Sequence, residues 1–187
     1  MNWLNTILIL LAAFIAVFCQ AAITGPRHWL GAQVDLLPSL MVYASFWSGF
    51  TTIVLLALLG GLWFDSLSAN PPGTSVLPLF LIGLGISSRR ELILRDQFFA
   101  QLVLGLAASA ATPILTLLIL LTSGHSPLLG WGSIWQLLVM SIGGALATPI
   151  WFIVFNWLNR AFAYRQVSET SFRSDREIRR GTSLHRQ

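Results

Sequence analysis

The chain contains no lysine, one cysteine and little charge: eleven arginines and seven carboxylates make up 10% of 187 residues. A water-soluble domain carries about 25% charged residues, so an aqueous surface is excluded for most of this one. With 55% hydrophobic residues and a mean hydropathy of +0.73, its solvent is a bilayer. The lone Cys19 cannot form an intrachain disulfide, and no Cys/His spacing suited to a metal exists. Phe18 stands where a lipid-attachment signal needs a small residue, which excludes a lipoprotein. There is no H-E-x-x-H, no G-x-S-x-G, no P-loop and no carboxylate pair placed for acid–base work. The sequence therefore offers no catalytic, cofactor-binding or metal-binding residues. His28 and His125 fall on the same expected side but lack a third ligand.

The charge that is present is segregated. Arg27, Arg89, Arg90 and Arg95 are balanced by Asp35, Asp65, Glu91 and Asp96. The net +4 belongs to the residues after 158, where seven arginines meet only Glu169, Asp175 and Glu177. The pI near 10.6 is thus a tail property and does not point to a nucleic acid partner.

Apolar runs about 20 residues long can cross a hydrocarbon core of roughly 30 Å. The first covers residues 3–23 and reads as an uncleaved span, since no basic stretch precedes it. Residues 36–64 are almost continuously apolar, too long for one untilted span and short for two. Trp47, Ser48 and Gly49 offer a break, giving spans at 34–46 and 50–66; a single long tilted helix is the alternative. Asp35 sits where the second span starts, favourable at the positive end of a helix dipole, and Pro38 falls in its first turn. Further spans follow at 75–87, 98–121 and 134–162, giving an all-α polytopic bundle of six helices over residues 1–163. Residues 164–187 form a charged tail, expected to be flexible, that meets anionic headgroups or docks a protein. Arginine counts place the 89–96 loop, the tail and both termini in the cytoplasm, with loops 24–33, 65–74 and 122–133 outside. A five-span version would move only the N-terminus.

Small residues four apart let helix backbones approach closely. They occur at Ala12/Ala16, Gly105/Ser109, Ala108/Thr112, Gly143/Ala147 and Gly144/Thr148, favouring a packed pair of spans five and six. Pro113 and Pro149 lie mid-span, each as a packing kink or a hinge. One charge resists this scheme. In GGLWFDSLSANPPGTS, residues 60–75, Asp65 closes the third span beside the turn at Pro71, Pro72 and Gly73. Either it accepts hydrogen bonds from turn amides near Ser66 and Ser68, or it contacts a partner or a bundle residue such as Asn156.

The order Asp35-Leu36-Leu37-Pro38, then Gly60-Gly61-Leu62-Trp63-Phe64-Asp65 with Pro72-Gly73, resembles the MreD family of bacterial inner-membrane cell-elongation proteins. The basic loop after span four and Pro149 followed by Arg160 fit as well; the order Thr74-Ser75-Val76 and the long tail depart from it. The resemblance implies a scaffold, with Pro38, Gly60, Gly61, Asp65, Pro72, Gly73, Pro149 and Asn156 as structural or partner contacts. It implies an MreC-like bitopic partner and, through it, an MreB-like filament, a RodA-like glycosyltransferase and a penicillin-binding transpeptidase. It also implies a bundle similar to the S-components of energy-coupling-factor transporters. A vitamin-binding transporter subunit of that kind is the alternative function.

Overall fold

The computed structural model describes residues 3–22, 31–68, 71–89, 97–124 and 130–163. Arg27, His28, Asn70, the basic loop at 90–96, His125 and the tail from 164 lie outside them, as do the expectations placed on them. Among the described residues all regular structure is helical. The helices are α1 (Trp3–Ala22), α2 (Leu37–Trp47), α3 (Phe50–Leu67), α4 (Val76–Arg89), α5 (Phe98–Thr122) and α6 (Trp131–Ala163). The chain divides into two compact units, Met1–Ile153 and Val154–Gln187.

The first unit is built around α2. Residues 37–46 of this short helix are all buried, as expected of a helix apolar on every side. Its two serine hydroxyls are satisfied locally, Ser39 donating to the Leu36 carbonyl and Ser45 to the Met41 carbonyl, both at 2.7 Å. Asp35 starts it, the Oδ1 atom accepting the Leu37 amide at 2.9 Å, and Pro38 occupies the first turn, where no amide is needed. The helix ends at Ser48, whose extended backbone (φ −120°, ψ 165°) breaks the long apolar run. The amides of Thr52 and Ile53 then close on the Gly49 carbonyl to begin α3. Two helices form here, because the Ser48-Gly49 step lets the chain reverse.

Pair contacts fix the direction of each helix. Thr6 of α1 bonds Thr52 at 2.9 Å, and Phe14 meets Trp63 edge-on at 5.3 Å, so α1 and α3 run parallel. Leu37 lies against Gly60, which sends α2 the opposite way. Gly61 touches Val76 while Gly83 touches Ile53, so α4 returns antiparallel to α3. Gly105 faces Thr148 and Ser109 faces Gly144, making α5 and α6 antiparallel. Gln136 pairs with Gln33, and Phe152 packs on Tyr43 and Phe46, so α6 runs with α2. Consecutive helices therefore alternate in direction through the unit.

The small-residue pairs lie where close approach was expected. A β-carbon on Gly105 would come 2.8 Å from that of Thr148 and 2.9 Å from the Gly144 carbonyl oxygen. Thr112 and Thr148 donate to the carbonyls four residues back, Ala108 and Gly144, at 2.9 and 2.8 Å, so their polarity stays within the helices. Gly143 serves a different neighbour, Val34 of the segment before α2. Ala16 is buried on α1 and Ala12 is half-buried. Pro113 and Pro149 lie within continuous helices.

Four helices are long and apolar enough to cross a membrane: Trp3–Ala22, Phe50–Leu67, Phe98–Thr122 and Trp131–Ala161. At 1.5 Å per residue, α2 and α4 reach only about 17 and 21 Å, short of a full hydrocarbon core.

Candidate functional site: the carboxylate corner between α3 and α4

The approach to the corner is an irregular helix. Within α3 the turn Leu56–Gly60 is π-helical, a widening seen mostly as single turns and often at functional sites. It delivers two glycines to two neighbours. A β-carbon on Gly60 would stand 3.3 Å from Leu37 Cδ2, and one on Gly61 would stand 2.9 Å from both the backbone nitrogen and Cα of Val76. Gly61 thus sets the α3–α4 distance by letting its own backbone lie against both the backbone and the side chain of Val76. Pro38, one residue beyond Leu37, is buried.

The chain then turns through residues 68–75. The Ser68 amide ends α3 on the Phe64 carbonyl at 3.0 Å. Pro71 and Pro72 are exposed, and Gly73 adopts φ +94°, open to glycine and disfavoured for other residues. Thr74 folds back onto the Pro71 carbonyl with its hydroxyl, and Val76 donates to the Gly73 carbonyl at 3.3 Å to enter α4.

Asp65 closes this turn from inside. It is 2% exposed. Its Oδ2 accepts the amides of Gly73 at 2.8 Å and Ser75 at 3.1 Å, placing negative charge at the start of α4, where the dipole favours it. The expectation of amides near Ser66 and Ser68 is therefore corrected. Ser68 touches Asp65 only through its hydroxyl and amide on the main-chain carbonyl, and the carboxylate reaches to the far side of the turn. The other oxygen, Oδ1, is buried and has no hydrogen-bond partner among the described residues.

The remaining singled-out residues do not join this corner. Pro149 follows Thr148 at the α5–α6 crossing. Asn156 lies in the second unit and is exposed.

Three polar contacts were not foreseen from the sequence. Asn5 donates to Ser48 Oγ at 3.4 Å beside the Thr6–Thr52 bond, tying the start of α1 to the α2–α3 break. The Gln136 amide pairs with both backbone groups of Gln33, donating at 3.2 Å and accepting at 3.3 Å. Gln20 lies beside the Asp35 carboxylate. The signal for all three was the same: isolated amides and hydroxyls inside apolar runs, each needing a partner.

Among the described residues no three His, Cys, Asp or Glu side chains gather to hold a metal ion. What the corner offers chemically is a fixed shape: a buried anion, two stapled amides and two glycine contacts joining three helices. No protein-family model, curated protein or solved structure matches the chain.

Proposed function

We propose that the protein is a non-enzymatic membrane scaffold of the MreD type, serving bacterial cell elongation from the inner membrane. In this reading it links an MreC-like bitopic protein, and through it an MreB-like filament, to a RodA-like glycosyltransferase and a penicillin-binding transpeptidase. The observation that carries it is the corner: Gly60, Gly61, Asp65 and Gly73, the residues on which the resemblance rests, act together as one rigid junction. A scaffold needs such fixed geometry more than it needs reactive groups.

The alternating helix directions favour six membrane passes, with α2 and α4 as short passes. Because α2 is enclosed by protein, it has no need to match the lipid thickness that its neighbours face. Both termini and the loop after α4 then lie in the cytoplasm, following the arginines, and the carboxylate corner faces the periplasm.

The test is co-purification in mild detergent with an MreC-like protein of the same organism, together with depletion in a rod-shaped host. Capture of that partner and rounding of depleted cells are expected. Rod-shaped cells after clean deletion, where the elongation system is otherwise essential, would overturn the proposal.

A further inference from the structure

The wall made by α3 and α4 is shorter than the helices beside it. α4 has 14 residues, about 21 Å, and packs against α2, α3 and α5. Both ends of its apolar stretch are fixed. At one end stands the irregular turn 68–75, with Pro71 and Pro72 exposed and the amides of Gly73 and Ser75 held by the buried Asp65. At the other, Arg89 is exposed in the last turn, and Arg90 and Glu91 follow in sequence. The apolar part of α3 matches it, since Phe50 to Phe64, ahead of Asp65, is about 22 Å. α5, packed on α4, has 25 residues and about 37 Å, enough for a full hydrocarbon core. Unlike α2, α4 is not enclosed: Leu77, Leu81 and Leu84 are exposed along one face. Helices meet in lipid through small or hydrogen-bonding side chains, and α4 turns its packing glycine inward. A β-carbon on Gly83 would stand 2.6 Å from Ile53 Cγ2 and 2.8 Å from Met41 Sδ. The outward Gly85 has Leu81 and Arg89 four residues to either side, so no small-residue pair forms on this face. Its leucines suit acyl chains.

We propose that the α4 face is a bilayer-thinning surface, drawing the hydrocarbon core down to about 21 Å and gathering acyl chains shorter than those around α5. Irregular backbone is not tolerated where hydrocarbon touches it, so the headgroup region must come down to the exposed turn at 71–73. Arg89 can lift its guanidinium toward the headgroups from a helix end that lies below them. The turn cannot do the same, because residues 68–75 include no long charged side chain. The difference of roughly 9 Å from an ordinary core of about 30 Å is therefore met by the lipid on this side. α1, with 20 residues and about 30 Å, and α5 face bilayer of ordinary thickness. Each ångström of mismatch carries a small cost, which shorter acyl chains remove. The surface rests on the six-pass reading, in which α4 crosses the membrane, and not on the scaffold role.

Spin labels on single cysteines test it, in the full chain with Cys19→Ser, reconstituted in dioleoyl phosphatidylcholine. Their relative exposure to oxygen and to a water-soluble nickel complex reports depth. Labels replacing Leu77, Leu81 and Leu84 should reach a greatest depth of about 10 Å, against about 15 Å for labels replacing Leu106 and Ile114 on the exposed face of α5. In an equimolar mixture of brominated dimyristoleoyl and unbrominated dierucoyl phosphatidylcholine, a fluorophore at position 81 should be quenched about twofold more than one at position 114. Equal depths on the two helices, or equal quenching, would overturn the proposal. Labels on α4 shielded from oxygen and nickel alike would overturn it too, by placing a second copy of the chain on this face. A cysteine at position 70 that reacts only from the cytoplasm defeats the six-pass reading and the thinning together. Equal depths with position 70 reactive from the periplasm defeat the thinning alone.

Discussion

The carboxylate of Asp65 reaches eight residues along the chain to take the amide of Gly73 at 2.8 Å, while accepting Ser75 with the same oxygen. Removing that acceptor leaves two amides in an enclosed turn without partners. Asp65→Ala should lower stability by about 2–4 kcal/mol, read by unfolding in mixed micelles. Asp65→Asn keeps one carbonyl oxygen for both amides and should recover most of the loss. Equal loss in the two variants would show that the charge, and not the pair of bonds, holds the turn.

Glycine substitutions should separate by neighbour. Gly61→Ala drives a methyl into the Val76 backbone and should destabilise by about 1–3 kcal/mol, the range for overpacking. Gly85 lies in the interior of α4 with nothing within 4 Å of an added β-carbon, so Gly85→Ala should stabilise by about 0.5–1 kcal/mol. Opposite signs in the same unfolding assay are the expected result.

Topology is read by cysteines placed one at a time in a Cys19→Ser background. A cysteine at position 70 should react with an impermeant thiol reagent from the periplasm, and one at position 92 only from the cytoplasm. If α2 and α4 instead dip into the membrane and return, position 70 moves to the cytoplasm while 92 stays. Labelling at 70 therefore decides the number of passes, and labelling at 92 decides the orientation.

A panel of vitamins should leave the melting temperature of the purified protein unchanged. A saturable rise with any one of them would favour a transporter subunit, since a ligand bound at a hundred times its Kd adds about 2.7 kcal/mol to the folded state.

Much of this architecture was legible in the sequence because hydropathy reports helices in lipid directly. The expected spans at 3–23, 50–66, 75–87 and 98–121 fall within a residue or two of α1, α3, α4 and α5. Ser48 and Gly49 marked the break because neither supplies the apolar side chain a continuous span would use. Gly105 and Gly144 marked the crossing because few residues let backbones touch. Asp65 was legible as a residue in need of a partner, but its partners were not. Which amide it takes depends on the positive φ of Gly73 and on the Gly61–Val76 contact, both set only after the chain has turned. The π-helical turn at Leu56–Gly60 leaves no mark in hydropathy, and the pairing of Gln33 with Gln136 links positions 103 apart.

The enclosure of α2 has a consequence for biogenesis. Eleven residues make a weak insertion signal, so α2 should enter the bilayer only as a hairpin with α3. The aromatic surface that finally covers it arrives late, with Phe152 for Tyr43 and Phe46. The helix at the centre is thus the one that waits longest for its neighbours during synthesis. Truncation before residue 152 should leave α2 open to lipid and the nascent chain exposed to membrane quality-control proteases, even with five of the six helices already made.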